Sequence, residues 1–208
     1  MQIRFVKSYK RKNGDKMDEK TIIHLEERED VNAARNGDVD AFCRVYEQYK
    51  DRLYRYAFYR LGNAQDAEDA VSECVLSAFR QIGQLRDAKA FPAWIFKILA
   101  AVCAKTVKAQ AEHKKTISLE AVTDRDREEA AAMQADPAGA GNAQQDPAET
   151  VARRMDLLRA LDQLGEDEKE IVLLSVVAGF NSAEIAQMTG GRPGTVRSKQ
   201  SRSLAKMR

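Results

Sequence analysis

The spacing of apolar residues from Val39 onward constrains this chain more than any other feature. The same three-and-four spacing returns from Asp66 to Ile82, beside an acidic face, and again from Phe91 into a basic second half. Strand-like alternation does not compete with it, so the chain is predicted to be all-α, with these helices packed as a small bundle. The first stripe, which defines one face of a helix, consists of Phe42, Val45, Tyr46, Tyr49, Leu53, Ala57 and Leu61.

Two breaks in the helical pattern divide the chain. Residues 1–30 are polar and basic and are predicted to form a disordered extension, in which Met17 is an alternative start of the protein. Residues 114–150 contain two Asp-Pro pairs with a run of Gly, Ala, Asn and Gln between them, which predicts a flexible acidic linker. Residues 31–113 and 151–208 are then predicted to be two small helical domains.

The charge is distributed unevenly along the chain. The net charge is only +2, but residues 1–16 hold six Lys and Arg against one Asp. Residues 124–150 hold seven Asp and Glu against two Arg, and residues 192–208 hold six Lys and Arg with no acidic residue. Basic ends around an acidic middle indicate a polyanionic partner such as nucleic acid.

The cysteines and histidines do not form a recognisable catalytic or metal site. Cys43, Cys74 and Cys103 lie within apolar helix patterns and are expected to be reduced core thiols of a cytosolic protein. His24 and His113 have no companion at ligand spacing, and no catalytic motif accompanies them. We therefore expect no enzymatic activity and no cofactor or metal.

Membrane insertion and secretion are not indicated by the sequence. The N-terminus is basic but lacks the apolar segment of a signal peptide. The longest apolar run, Ile98 to Ala104, is too short to cross a bilayer. The expected location is the cytoplasm.

The stretch from residue 181 to the end has the pattern of a helix-turn-helix. Asn181 and Glu184 have the spacing of a capping box, Gly190-Gly191 permits a sharp turn, and Pro193 suits a first helical turn. In such a motif the second helix enters the major groove of DNA. A solvated amphipathic helix in a plain bundle is the alternative. The second helix is expected to be anchored by Val196, Leu204 and Met207.

The same stretch resembles the C-terminal domain of sigma-70-family transcription initiation factors, in particular the extracytoplasmic-function class. The resemblance is carried by Leu173-Leu174, Gly179, Glu184-Ile185-Ala186 and Gly194-Thr195-Val196-Arg197-Ser198. It implies that the last helix reads an upstream promoter element. The candidate DNA-binding residues are Arg192, Thr195, Arg197, Ser198, Lys199, Gln200, Ser201 and Arg202.

The first half of the chain resembles the N-terminal domain of the same class, in the same order. The matching motifs are Ala41-Phe42-x-x-x-Tyr46-x-x-Tyr49, then Asp66-Ala67-Glu68-Asp69-Ala70-Val71, then Phe91-Pro92-Ala93-Trp94-Ile95. The resemblance implies binding to core RNA polymerase, through the coiled coil of its β′ subunit and through the β flap. The implied β′-binding residues are Asp66, Asp69 and Glu73; a solvated acidic face is the alternative.

The resemblance also implies that the loop Gly83–Lys89 and the helix after it open the downstream promoter element and hold an unstacked base. Opening a duplex requires cations for the backbone and a pocket or platform for the base. Trp94 is expected to belong to the core rather than to such a platform. The candidate residues are Arg86, Lys89, Phe91, Lys97, Lys105 and Lys108.

Several positions depart from the family pattern. Ala100-Ala101 replaces a usual Arg-Asn pair, which puts recognition of the downstream element in doubt. Arg192 stands where a capping Ser or Thr is common, so the last helix lacks a standard N-cap. Gln200 and Ser203 replace a usual apolar residue and a usual Ala, which is expected to weaken the anchoring of that helix.

The resemblance implies an alternative sigma factor that directs RNA polymerase to promoter DNA and initiates transcription, with an anti-sigma protein as a further candidate partner. The acidic linker either enters the polymerase cleft or acts as a plain tether. The competing hypothesis is a helix-turn-helix regulator that binds duplex DNA without polymerase and has no use for the acidic face.

Overall fold

A computed structural model describes residues 19–117 and 147–207 of the chain. Every regular element within those ranges is helical, as predicted. A 3₁₀ turn at Ile82–Gln84 and another at Ala88–Ala90 join the third helix to the fourth, and a π-helical turn at Leu173–Val177 extends the sixth. The α-helices are α1 Glu19–Arg35, α2 Val39–Leu61, α3 Ala64–Gln81, α4 Phe91–Ile117, α5 Pro147–Asp162, α6 Glu166–Val172, α7 Ser182–Thr189 and α8 Pro193–Lys206.

The chain divides into two compact units, Met1–Gln48 with Phe79–Phe91, and Tyr49–Ala78 with Pro92–Arg208. This division passes through α2 and α3, whereas the domains predicted from sequence follow the motifs. The domain limits at 31–113 and 151–208 therefore stay a prediction.

In the first unit, α1 packs against the two 3₁₀ turns and the start of α2. Val31 is fully buried and Ala34 is buried, and Arg44 of α2 bonds Asp30 of α1 through Nε at 3.0 Å and Nη2 at 2.7 Å. Phe42 meets Phe79 edge to face at 5.2 Å between ring centroids. These contacts give α1 a defined place on the unit.

The presence of α1 corrects one expectation. Disorder was expected for residues 1–30, but residues 19–30 form most of α1, and residues 1–18 lie outside the described part of the chain. The helix was missed because Glu27, a charged residue, occupies a buried position four residues before Val31 and so interrupts the apolar stripe. The acidic linker likewise falls mainly outside the described residues.

The second unit contains two apolar clusters. In the first, Leu53, Ile95 and Leu99 are fully buried, and Tyr56 meets Phe96 edge to face at 5.8 Å. In the second, formed by the C-terminal helices α5–α8, the side chains of Leu161, Leu173, Leu174 and Ile185 have at most 2% of their surface exposed. Burial of this kind supplies the main driving force for packing short helices.

Helix α4 has the length and apolar composition of a candidate membrane span. The stretch Ala88–Glu112 has the length and the mean hydropathy, 1.5, of a membrane span, and a third of its apolar window is buried. Ile95, Phe96 and Leu99, which make it apolar, have no exposed surface because other helices of the second unit cover them. These residues give α4 a buried apolar stripe in the second unit.

The cysteines differ from one another. Cys74 and Cys103 are buried as expected, and burial raises the pKa of each thiol to about 12. Cys43 is exposed, so the expectation of a core thiol is wrong there. Cys43 follows Phe42 directly, and the buried face of this helix contains Phe42 and Val45 but not Cys43.

Candidate functional site

Helix α7 begins with the capping box expected from the sequence. The Oδ1 of Asn181 accepts hydrogen bonds from the backbone N–H groups of Ala183 at 2.9 Å and Glu184 at 3.0 Å. In return, the backbone N–H of Asn181 donates to Oε2 of Glu184 at 2.8 Å. Satisfying donors that no helical carbonyl reaches fixes the residue at which α7 starts.

The turn after α7 is a glycine turn. Gly190 adopts φ +73°, the left-handed conformation that glycine reaches without a steric penalty, and the N–H of Gly191 donates to the carbonyl of Ala186 at 3.0 Å. Pro193 then opens α8, whose N-cap residue Arg192 makes no side-chain cap bond. The predicted helix-turn-helix is present, and α8 lacks a side-chain N-cap, as predicted.

Most of the candidate residues for the upstream element lie on the exposed side of α8. Their side chains point away from the core, so the basic groups among them are accessible to a phosphate backbone and the hydroxyls to base edges. The exposed candidates are Arg192, Thr195, Arg197, Ser198, Ser201 and Arg202.

Lys199 and Gln200 are the two candidates that do not face outward freely. The Nζ of Lys199 lies 3.2 Å from Oδ2 of Asp167, and Nε2 of Gln200 donates to the hydroxyl of Ser175 at 2.6 Å. The expectation that both side chains reach outward is therefore wrong, because α6 and the π turn provide polar partners on the inner side of α8. Their role in DNA binding stays a prediction.

The anchoring of α8 also differs from the expectation. Val196 is buried, but Leu204 is 39% exposed and does not anchor the helix. Ser203 takes the inner position instead, fully buried, with its hydroxyl donating to the carbonyl of Lys199 at 2.8 Å. That bond lies within α8, and the polar contacts that join α8 to other elements include those of Gln200 with Ser175 and of Lys206 with Glu168.

An acidic triplet, Glu166, Asp167 and Glu168, begins α6 and forms ion pairs with two other helices, α8 and α2. Asp167 faces Lys199, and the two carboxylate oxygens of Glu168 each lie 2.8 Å from Nζ of Lys206. The hydrogen bond from Lys206, and that from the backbone N–H of Gly165, lower the pKa of Glu168 below its ordinary value. Three carboxylates at a helix N-terminus also complement the helix dipole.

The predicted polymerase-binding residues share one face of α3 but differ in their surroundings. Asp66 accepts hydrogen bonds from Asn63 and Gln110, and its backbone N–H donates to Oδ1 of Asn63 at 2.7 Å, so it helps to start α3. Glu73 is exposed and lies 3.3 Å from Nζ of Lys105. Asp69 is exposed. Asp69 and Glu73 are therefore the accessible acidic groups of this face.

The candidates for the downstream element are divided between the two units. In the first unit, Arg86 lies just before the second 3₁₀ turn and Lys89 lies on it, and both are exposed. Asp87 caps this turn: its carboxylate accepts a hydrogen bond from the backbone N–H of Lys89 at 2.9 Å. Phe91 has no exposed surface. It was a candidate base platform, but as a core residue at the start of α4 it presents no face to a base.

In the second unit, Lys97, Lys105 and Lys108 are exposed on α4. Trp94 is half-buried, which agrees only in part with the expected core position. The pair of Lys105 with Glu73 joins two solvated groups, and such a pair contributes little to stability and is easily exchanged for another partner.

Sequence reasoning missed two residues that the fold uses. Arg52 of α2 donates to the backbone carbonyl of Ala178, and Nη2 of Arg60 lies 2.7 Å from Oε2 of Glu166. Arg60 follows the buried residues Leu53 and Tyr56 by seven and four positions, so it lies on the same face of α2, and its side chain is only 6% exposed. A charged residue on an apolar stripe was the available signal.

Two family descriptions match separate parts of the chain. Residues 45–112 match Sigma-70 region 2, and residues 154–207 match Sigma-70, region 4. Together the two regions cover more than half of the chain, in the order expected from the motifs.

Curated relatives align over most of the chain. The ECF RNA polymerase sigma factor BldN of Streptomyces coelicolor is 31% identical over 178 residues, which cover 84% of this chain and 61% of BldN. The RNA polymerase sigma factor CarQ of Myxococcus xanthus is 29% identical over 174 residues, which cover 84% of this chain and 91% of CarQ.

A solved structure has the same fold. The sigma factor RpoE from Bartonella quintana, crystallised with the anti-sigma factor NepR, superposes with a TM-score of 0.62 at 20% identity. The match covers 81% of this chain and 95% of that one.

Proposed function

The chain belongs to the extracytoplasmic-function class of the sigma-70 family, and we propose that it acts as an alternative sigma factor that binds core RNA polymerase and directs it to promoters. One observation carries this proposal. Both sigma-70 regions occur in one chain and in order, region 2 at residues 45–112 and region 4 at residues 154–207. A stand-alone helix-turn-helix regulator requires only the second of them.

In this proposal, residues 31–113 bind polymerase and open the DNA, residues 114–150 connect the domains, and residues 151–208 bind the upstream element. Asp69 and Glu73 on α3 face the basic coiled coil of the β′ subunit, where complementary charge favours association. Asp66 acts mainly by starting α3, since Asn63 and Gln110 occupy its carboxylate.

The DNA contacts divide by position. Arg192, at the N-cap of α8, and Arg197 and Arg202 on α8 bind backbone phosphates around the upstream element. Thr195, Ser198 and Ser201 lie near base edges. At the downstream element, Arg86, Lys89, Lys97, Lys105 and Lys108 neutralise the strands as they separate.

In this proposal binding energy alone drives these steps, and the protein performs no covalent chemistry. It acts in the cytoplasm, because that is where the polymerase works. An anti-sigma protein is a further candidate partner, because RpoE of Bartonella quintana was crystallised with one.

The first experiment measures capture of purified core RNA polymerase by the full-length chain. Asp69→Lys should abolish or strongly weaken capture, because it places a cation opposite a basic coiled coil. Glu68→Lys is the matched control: it makes the same charge change at the exposed preceding position, about 100° around α3 from Asp69. It should leave capture close to that of the wild type.

The outcomes separate the hypotheses. Loss of capture for both variants moves the docking site to a wider acidic surface, and retention for both places it elsewhere on the chain. If the wild-type protein does not bind polymerase but binds free duplex DNA tightly, the result supports the stand-alone helix-turn-helix regulator instead.

A further inference from the structure

The inner face of α8 is largely polar. Val196, Gln200 and Ser203 follow one another at spacings of four and three, and so they lie on the side of α8 that faces its neighbours. Val196 and Ser203 are buried and Gln200 is half-buried, but only Val196 is apolar. Among these three residues, apolar packing therefore holds α8 only near its first turn.

The packing beneath the first turns of α8 is also incomplete. A cavity of about 350 Å³ lies between α6 and α8, and Ile171, Thr195 and Val196 are among the residues that line it. Atoms on the wall of a cavity lack contacts on that side. A helix packed in this way can rotate about its own axis unless polar groups hold it.

A hydrogen bond joins the middle of α8 to the π turn. Nε2 of Gln200 donates to the hydroxyl of Ser175 at 2.6 Å, and both side chains are half-buried. Ser175 lies between Leu174, which has no exposed surface, and Val176, which is 63% exposed. Because a hydrogen bond weakens steeply when its angle changes, this bond resists rotation of α8 in either direction.

The ion pairs between α8 and α6 restrict rotation less. Nζ of Lys199 lies 3.2 Å from Oδ2 of Asp167, whose side chain is 82% exposed, and Nζ of the half-exposed Lys206 lies 2.8 Å from Oε2 of Glu168. Solvated ion pairs between long side chains contribute little and tolerate movement. The bond between Gln200 and Ser175 is therefore the contact that best defines the rotation of α8.

Gln200 also faces away from the bases in the proposed complex. Ser198 precedes Gln200 by two residues and points to the opposite side of α8, since each residue turns a helix by about 100°. A glutamine that reads adenine places both atoms of its amide at the base edge. The amide of Gln200 would have to leave Ser175 to do so.

We propose that Gln200 and Ser175 are positioning residues, whose hydrogen bond sets the rotation of α8 and so decides which base edges Ser198 and Ser201 meet. Gln200 does not itself read a base. The contact stands on its geometry alone, whereas its effect on DNA recognition rests on the proposed function.

Nuclear magnetic resonance of the full-length chain tests the contact without DNA. Ser175→Ala removes the hydroxyl and should shift the side-chain amide resonances of Gln200. Val176→Ala is the matched control, because it trims the exposed neighbouring side chain of the same turn, and it should leave those resonances in place. Unchanged resonances in Ser175→Ala overturn the proposal, and so do equal shifts in the two variants.

A double-mutant cycle tests the effect on recognition. The probe is a duplex selected from a randomised pool by the full-length chain bound to core polymerase. The quantity measured is the affinity for this duplex divided by the affinity for each of its single-base variants, a ratio that does not depend on the active fraction of a preparation. Ser175→Ala and Gln200→Ala should each lower this ratio about three- to tenfold at more than one base pair, the change expected for one hydrogen bond. The double variant should lower it no further, because both substitutions remove the same contact.

The outcomes of the cycle separate positioning from direct reading. If Gln200 reads a base, Gln200→Ala lowers the ratio at one base pair and Ser175→Ala has no effect, which overturns the proposal. Additive losses in the double variant overturn it as well, since independent groups add. Failure of the polymerase-bound wild type to select any duplex would contradict the proposed function, while the resonances of Gln200 decide the contact by themselves.

Discussion

At the scale of single residues, adjacent side chains of α8 have different surroundings. Arg197 and Ser198 are exposed, whereas Lys199 and Gln200 turn back to Asp167 and Ser175. The partners lie 32 and 25 residues earlier in the chain. A helical wheel gives the direction of each side chain relative to its own helix, but not the chemistry of the neighbour that it meets.

This difference can be measured in the promoter complex with polymerase. Arg197→Ala should reduce the steepness of the log–log dependence of affinity on salt by about 0.9, the change expected for one lost phosphate contact. Lys199→Ala is the comparison, and should leave the slope nearly unchanged because Asp167 already neutralises its ammonium group. An equal loss for both would mean that Lys199 leaves Asp167 when DNA binds.

At the scale of elements, α7 and α8 begin in opposite ways. The reciprocal bonds of Asn181 and Glu184 cap α7, while α8 starts at Arg192 with no side-chain cap. The first N–H groups of α8 face the region where we propose that phosphates bind. An uncapped N-terminus keeps those donors and the positive end of the helix dipole available to an anion.

A substitution at Arg192 separates stability from binding. Arg192→Ser supplies the missing cap and should raise the free energy of unfolding by about 1 kcal/mol relative to Arg192→Ala. Both variants lose the same cation, but the serine hydroxyl also occupies N–H donors that Arg192→Ala leaves free, so affinity for promoter DNA should fall further for Arg192→Ser. Urea unfolding and promoter-binding measurements on the two variants check this, and equal stabilities would show that the cap does not form.

Local patterns account for most of these elements. The periodic stripe predicted α2, and the Asn181–Glu184 spacing predicted the start of α7. The failures share a physical cause. Phe91 and Phe79 lie on predicted helices, yet one is fully buried and the other 45% exposed, because burial depends on distant chain segments that periodicity does not specify. The contact of Arg52 with Ala178, 126 residues away, was unreadable for the same reason.

At the scale of the whole molecule, the contacts of Arg52, Arg60 and Phe96 with Ala178, Glu166 and Phe180 affect the cooperativity of unfolding. Helices that share a packed interface tend to unfold together, whereas separated domains unfold independently. We expect wild-type protein to show one calorimetric transition, with matching calorimetric and van't Hoff enthalpies.

Glu166→Arg should split that transition, because the C-terminal helices lose their support on α2 while their own core is intact. Asp167→Arg should retain a single transition. A wild-type protein that already melts in two steps would indicate that the interface is too weak to couple the helices.

The π turn at Leu173–Val177 has a further consequence for how this chain tolerates change. The N–H of Ala178 reaches back five residues to the carbonyl of Leu173 at 3.0 Å, so the turn holds one residue more than a regular α-helical turn. A π turn takes up its extra residue within one wide turn, so deleting a residue there would restore regular winding and leave the chain after it close to its present orientation. Deleting a residue from α6 itself has no such compensation and would rotate all that follows by about 100°, turning Ala178 and Phe180 away from Arg52 and Phe96. Single-residue deletions should therefore be tolerated better at the π turn than in α6.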